Sequence, residues 1–227
     1  MKVFIHDYET TGIDPKTCGV VQSATGYAEV NEDGSYEITE LETVILDPLC
    51  EIHPKASEVH GLYPKDVEGK QPFDEYLTAR FADFDCDVVC GYNSNSYDNI
   101  IAKRFGLPET KHKLDLIVAT RRLKAKNIIE NAKLTTAYET LVGKPTDKAH
   151  DAEFDIKMTL DLIKPCMNLL EINSLTEFLV FLSQANNTMP FGKYTGKKFS
   201  EVPKSYIKWL LTQDINDDLR LELEKSL

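Results

Sequence analysis

The chain has 227 residues, of which 42% are hydrophobic and 28% charged, and its formal net charge is −11. That composition excludes disordered, collagen-like and coiled-coil classes, and the length suits one good core or a main domain with a small appendage. The acidity argues at first against a nucleic-acid partner, although acids gathered around bound cations reverse the local field.

A first strand is expected over Val3 to Asp7 and a second over Val20 to Val30; after the turn signal Asn31-Glu32-Asp33-Gly34 a third runs over Tyr36 to Leu46, closing a hairpin. Pro54 to Leu62 reads as a short helix and Pro72 to Ala82 as a longer one. Asp87-Val88-Val89-Cys90-Gly91 is a buried strand, followed by a helix over Tyr97 to Phe105 that Gly106-Leu107-Pro108 closes. Leu114 to Val118 is a candidate fifth strand. Further helices are expected over Leu134 to Leu141, Asp151 to Ile163 (with Pro165 as a stop) and Leu175 to Ala185. Asn186 to Pro190 reads as a linker, dividing a main domain, 1–186, from a small module, 187–227. Three early strands followed by alternating helices and strands predict an α/β domain with a mixed sheet.

No apolar stretch approaches the length of a membrane span. Polar residues interrupt Met1 to Asp7 too early for a secretory leader. The five cysteines, Cys18, Cys50, Cys86, Cys90 and Cys166, show neither CxxC nor zinc spacing, so reduced thiols in a cytoplasmic protein are expected.

The chemistry starts at Asp7-Tyr8-Glu9-Thr10-Thr11-Gly12. Residues i and i+2 of a strand share a face, so Asp7 and Glu9 project together and repel unless a cation lies between them. Hard divalent ions such as Mg²⁺ bind through carboxylate oxygens. Asp98 follows the Val88–Cys90 strand, at the carboxyl end where open α/β sheets bind ligands; taken alone, such a residue is more often a helix N-cap or first-turn acid. Asp155 lies beside an apolar helix stripe of Phe154, Met158 and Leu162, where a carboxylate is costly unless paired or metal-bound. His150 precedes that helix, within reach of the same cavity. Two basic clusters, from Lys111 to Lys126 and at Lys193, Lys197 and Lys198, are solvated faces unless the site handles phosphodiesters.

Asp-x-Glu-Thr-x-Gly, then Asp98 after Gly91-Tyr92-Asn93, then His150-x-Ala152-x-x-Asp155 together resemble the DEDDh branch of 3′→5′ exonucleases. Ala56 to Leu62 is similar to that family's short helix with a His-Gly-aliphatic motif, and Asp115 to Leu123 to its segment between the second and third acidic motifs. His6 to Thr10 and Gly91 to Asn93 look like the exonuclease I branch, and Phe191 to Leu210 resembles the C-terminal module of the exodeoxyribonuclease X branch. Tyr97 stands where the family usually has Phe.

The resemblance covers about Val3 to Ile163 and implies a ribonuclease H-like mixed five-stranded sheet flanked by helices. It implies two Mg²⁺ or Mn²⁺ ions held by Asp7, Glu9, Asp98 and Asp155, with Asp7 shared, and His150 as general base. Substrate contacts would come from Tyr8, Thr10, Thr11, Gly12, His60, Leu62, Asn93 and Tyr97. The implied partner is a nucleic acid, most naturally single-stranded DNA 3′ ends, yielding nucleoside 5′-monophosphates. A 3′→5′ exoribonuclease and a non-catalytic nucleic-acid-binding module remain alternatives; presence of all four acids and the histidine weighs against the last. Of the module's aromatics, Phe191, Tyr194 and Trp209 are expected mainly in its core, and its lysines partly in substrate holding.

Overall fold

In the computed structural model, residues 1–147, 149–185, 188–189, 192–213, 215, 219–220, 223–224 and 226–227 are described. The linker and boundary expected at Asn186, Asn187 and Pro190, and the aromatic Phe191, lie outside them.

Five strands form one mixed sheet: β1 (Lys2–Thr10), β2 (Val20–Val30), β3 (Tyr36–Ile45), β4 (Val88–Gly91) and β5 (His112–Asp115), in the order β3-β2-β1-β4-β5. β1 pairs antiparallel with β2 and parallel with β4; β2 pairs antiparallel with β3, and β4 parallel with β5. The α/β mixed five-stranded sheet expected from the sequence is thus present. The helices are α1 (Pro54–His60), α2 (Pro64–Val67), α3 (Phe73–Ala82), α4 (Asp98–Arg104), α5 (Leu116–Ala125), α6 (Leu134–Leu141), α7 (Ala152–Asp161), α8 (Ile163–Leu169), α9 (Leu175–Ala185) and, in the tail, α10 (Lys204–Leu210). None among the described residues is long and apolar enough to cross a membrane.

The alternation of β1 divides the core in two. Val3 and Ile5 join a cluster with Leu116, Leu123, Ile156, Leu160 and Phe178, from α5, α7 and α9. Phe4 and Tyr8, on the opposite face, pack with Phe73, Leu77 and Ile101 from α3 and α4. Helices therefore cover both faces of the central strand, and its apolar residues need no polar alternation. The tail has its own core of Met189, Phe199, Val202, Ile207, Leu210, Leu219 and Leu223.

Three expectations are corrected. The fifth strand ends at Asp115 rather than running to Val118. The Asp115 carboxylate accepts the Ile117 N–H at 3.3 Å and starts α5, whose Leu116, Ala119 and Leu123 are buried at helical spacing. Pro165 does not stop the helical region, because α7 ends at Asp161 and Pro165 is the third residue of α8, where its missing N–H is one that the first turn leaves unpaired anyway. Trp209 is 53% exposed, not part of the tail's core.

Candidate active site

β1 continues through Thr10, so Asp7 and Glu9 stand inside the sheet on the face that α7 covers. α7 is fixed there by its first turn: Asp151 caps the Phe154 N–H at 3.1 Å, and the Ala152 N–H donates to the buried Gln22 side chain of β2 at 3.0 Å. Asp155 lies one turn inside α7 and accepts the His150 N–H at 3.4 Å. Glu9, His150 and Asp155 each offer a ligand atom, and these atoms lie within 4.8 Å of one another. Asp98 opens α4 and is 5% exposed; its carboxylate accepts the Tyr8 N–H of β1 at 3.2 Å.

The electrostatics show what the four acids lack. Burial first, then the charges of Asp98, Asp155, Glu9 and Asp151, push the Asp7 carboxyl well above the usual range. Burial and then Asp155 and Asp98 raise Glu9 to about 8. Burial raises Asp98 and Asp155 to about 7 each, against the lowering effect of backbone N–H groups. Four carboxyl groups that resist ionising together, with a histidine beside them, form an oxygen-rich donor set that suits a hard divalent cation.

An open cleft of about 580 Å³ adjoins the cluster, with His60 and Gly61 on one wall and His150 and Asp151 on the other. The His60 Nδ1 accepts the Leu62 N–H at 3.1 Å, which leaves Nε2 buried with no hydrogen-bond partner among the described residues. Leu62 itself is half-buried against Val21, Ile52 and Val67. Asn93 has a left-handed backbone, φ 60°, and its N–H donates to Asp115 at 2.7 Å.

The motif turn is held tightly. The Thr11 N–H donates to the Gly19 carbonyl and the Gly19 N–H to the Thr11 hydroxyl, both at 3.0 Å. The Tyr97 hydroxyl bonds the Gly12 carbonyl and lies 2.7 Å from the Thr10 hydroxyl, which gives a role to the oxygen that a Phe would lack. Thr10 and Thr11 are buried, so of this turn Gly12 is the part open to a ligand. A Cβ at Gly12 would meet no protein atom, so packing within the chain does not demand glycine there. Tyr8 is a correction: it points away from Asp7 and Glu9, 5% exposed in the opposite core, because neighbouring strand residues alternate faces.

Three features were not read from the sequence. His6 is buried between Tyr8 and Asn99: its Nε2 donates to the Asn99 Oδ1 at 2.8 Å, and its Nδ1 accepts from the Tyr8 hydroxyl at 2.9 Å. Asp115 is 2% exposed and accepts the N–H groups of both Asn93 and Asn95 in the loop before Asp98. Ile13, 96% exposed, follows Gly12 in a loop whose Pro15 and Cys18 carbonyls accept from Arg104 of α4 at 3.0 and 2.9 Å. An apolar residue between Gly12 and Asp14 was the one sequence signal for it.

A family model described as Exonuclease matches residues 4–163. A second, named for a quorum-sensing-regulated virulence factor, matches only residues 173–217. No curated protein sequence matches the chain. Among solved structures, E. coli exonuclease I in a zinc-bound complex with single-stranded DNA is similar with a TM-score of 0.64 and 19% identity, over 79% of this chain and 43% of that one. The same enzyme with a dT13 oligonucleotide gives a TM-score of 0.65 and 19% identity, over 82% and 44%. Exonuclease X with 5′-overhanging duplex DNA gives 0.56 and 20%, over 80% of this chain and 99% of that one. The chain thus spans less than half the length of the exonuclease I chains, and at these identities the likeness establishes the fold. With a family match over most of its length, and a sheet order and acid placement on β1, α4 and α7 that agree with it, the chain has a ribonuclease H-like fold and belongs to the exonuclease family.

Proposed function

We propose that the protein is a divalent-metal-dependent 3′→5′ exodeoxyribonuclease that favours single-stranded DNA and releases nucleoside 5′-monophosphates. The carrying observation is the convergence of Glu9, His150 and Asp155 within 4.8 Å, beside the charge-strained Asp7 and Asp98. The donor set fits Mg²⁺ or Mn²⁺. Asp7, Glu9 and Asp155 would hold one ion, and Asp7 and Asp98 a second, and such a pair supplies Lewis-acid stabilisation to the attacking and leaving oxygens of an in-line displacement.

The remaining roles fall to the chain itself. His150 accepts the proton of the attacking water at a ring nitrogen. Gly12 admits the terminal nucleotide, with Ile13 offering apolar contact to its base. His60 lies on the opposite wall of the cleft, where it can pack against the substrate. Single-stranded DNA is favoured because exonuclease I, the similar fold, was captured with single strands. The separate tail core and the burial of α9 in the main core support a division into an exonuclease domain, 1–186, and a C-terminal module, 187–227. Unpaired cysteines at all five positions support a cytoplasmic setting.

The test uses end-labelled single-stranded DNA, overhanging duplex DNA and RNA, each with Mg²⁺ and with chelator. Shortening of single-stranded DNA from its 3′ end in Mg²⁺ alone, lost in Asp7→Ala, is expected. Cleavage that survives chelator or Asp7→Ala would sink the proposed site, and faster shortening of RNA would replace the substrate.

A further inference from the structure

One stretch of the C-terminal module, residues 192–213, reverses the charge of the chain that carries it. Residues 192–213 contain Lys193, Lys197, Lys198, Lys204 and Lys208 against Glu201 alone, in a protein of net charge −11. All five lysines are exposed. Further acids follow from Asp214 onward.

Three aromatic residues sit at the margin of this module rather than in its centre. Tyr194 and Tyr206 are half-buried against the core of Phe199, Ile207 and Leu210, and Trp209 is 53% exposed. They form a connected row. The rings of Tyr194 and Tyr206 are 4.8 Å apart at 71°, and those of Tyr206 and Trp209 5.2 Å apart at 44°. The ammonium groups of Lys193 and Lys197 lie 5.5 and 6.0 Å from the Tyr194 ring centroid. The row adjoins the main domain, because Arg122 of α5 donates to the Thr188 hydroxyl and would stand 3.6 Å from a Cβ on Gly196. The cap of α5, Asp115, holds the loop ahead of Asp98, so the helix that meets the module also borders the catalytic cluster.

An aromatic row with an exposed indole at one end and ammonium groups at the other fits a partner that is flat, π-bearing and anionic at once. An acidic protein surface would answer the charges but not the ring, and a duplex hides its base faces in the stack. A single strand presents both, with unstacked bases for the aromatics and phosphates for the lysines. We propose that Trp209, continued by Tyr206 and by a Tyr194 that Lys193 and Lys197 flank, is a stacking platform that holds single-stranded DNA outside the catalytic cleft. The platform needs no metal, and it shares with the proposed exonuclease activity only the nucleic acid itself.

The chain supplies its own reporter, since Trp209 is its one tryptophan. The full-length protein is titrated in chelator with a long single-stranded oligothymidylate while tryptophan fluorescence and the anisotropy of the labelled DNA are followed together. Saturable quenching that tracks anisotropy is expected. Trp209→Ala should weaken binding roughly 5- to 100-fold and Trp209→Phe should recover most of it. Because Trp209 is exposed, neither change should disturb folding, which circular dichroism checks. Removing Lys193 and Lys197 should lower the dependence of log affinity on log salt by roughly 0.7 for each phosphate that is no longer neutralised. Binding that leaves the fluorescence unchanged, an unaltered affinity in Trp209→Ala, or equal quenching by blunt duplex DNA would each overturn the platform. A protein that quenches yet never hydrolyses DNA in Mg²⁺ overturns the active-site reading alone; one that hydrolyses without quenching overturns the platform alone.

Discussion

His150 is held with a left-handed backbone, φ 69°, just ahead of α7. Histidine, asparagine and aspartate tolerate that conformation better than most side chains. His150→Asn should therefore keep the turn while removing the imidazole, which makes it a cleaner probe than alanine. Turnover should fall roughly 10²–10⁴-fold, the range for a lost general base, with Mn²⁺ affinity little changed in calorimetric titration. The 4.8 Å grouping with Glu9 and Asp155 allows the opposite role as well, so a lost Mn²⁺ site in the variant would make His150 a ligand. The same scale explains Tyr97. Its hydroxyl ties α4 to the Gly12 carbonyl, so the residue differs from the family's usual Phe by the tether it adds across the site.

At the scale of elements, a buried polar chain joins β1 to α4. The Tyr8 hydroxyl donates to His6, His6 to Asn99, and Asn99 to the Asn95 side chain at 3.1 Å, while the Asn95 N–H donates to Asp115 at 3.1 Å. Every polar atom named has its partner, so burial stabilises the neutral histidine, and burial lowers the His6 pKa to about 4. The chain matters because Asp7 and Glu9 ride on β1 and Asp98 on α4, and metal binding needs the two elements in register. Asn99→Ala would leave the His6 Nε2–H unpaired at a cost of roughly 1–3 kcal/mol. A lower urea midpoint at unchanged slope should record this, accompanied by a higher Mg²⁺ concentration for half-maximal turnover. An unchanged midpoint would show that the two elements are held together by their apolar contacts instead.

For the whole molecule, the strained carboxylates link stability, pH and metal. Glu9 is raised to about 8, Asp98 and Asp155 to about 7, and Asp7 in the same direction. Each folded-state pKa exceeds its unfolded value, so between the two the folded chain holds protons that the unfolded chain releases. Stability then falls as pH rises, from the ordinary carboxylate range until the last of these groups ionises. In chelator the melting temperature should be higher at the acid end of that window than above it. Mg²⁺ should restore it mainly at the alkaline end, since the cation binds the folded state and replaces the protons. A melting temperature in chelator that is flat or rising with pH would show that the acids are not in conflict.

The sequence by itself singled out the acids and the histidine, and determined four of the five strand segments and the family, because those depend on local patterns. Two carboxylates at i and i+2, an apolar run before them and a His-x-Ala-x-x-Asp spacing are all readable along the chain. The tertiary structure alone decided which residues meet. Asp115 reads as part of a strand-like run, and only the loop that folds over it shows it satisfying two backbone N–H groups. Tyr8 sits between two site acids in sequence yet belongs to the opposite core, since strand alternation assigns faces but packing decides which face is the site. Trp209 reads as core by its hydrophobicity, and only the packing of Ile207 and Leu210 beneath it places the indole outside. His6 entered the sequence reading only as part of a motif; its place in a buried chain gave no signal, because its partner lies 93 residues away and hydrogen bonds at that separation leave no local trace.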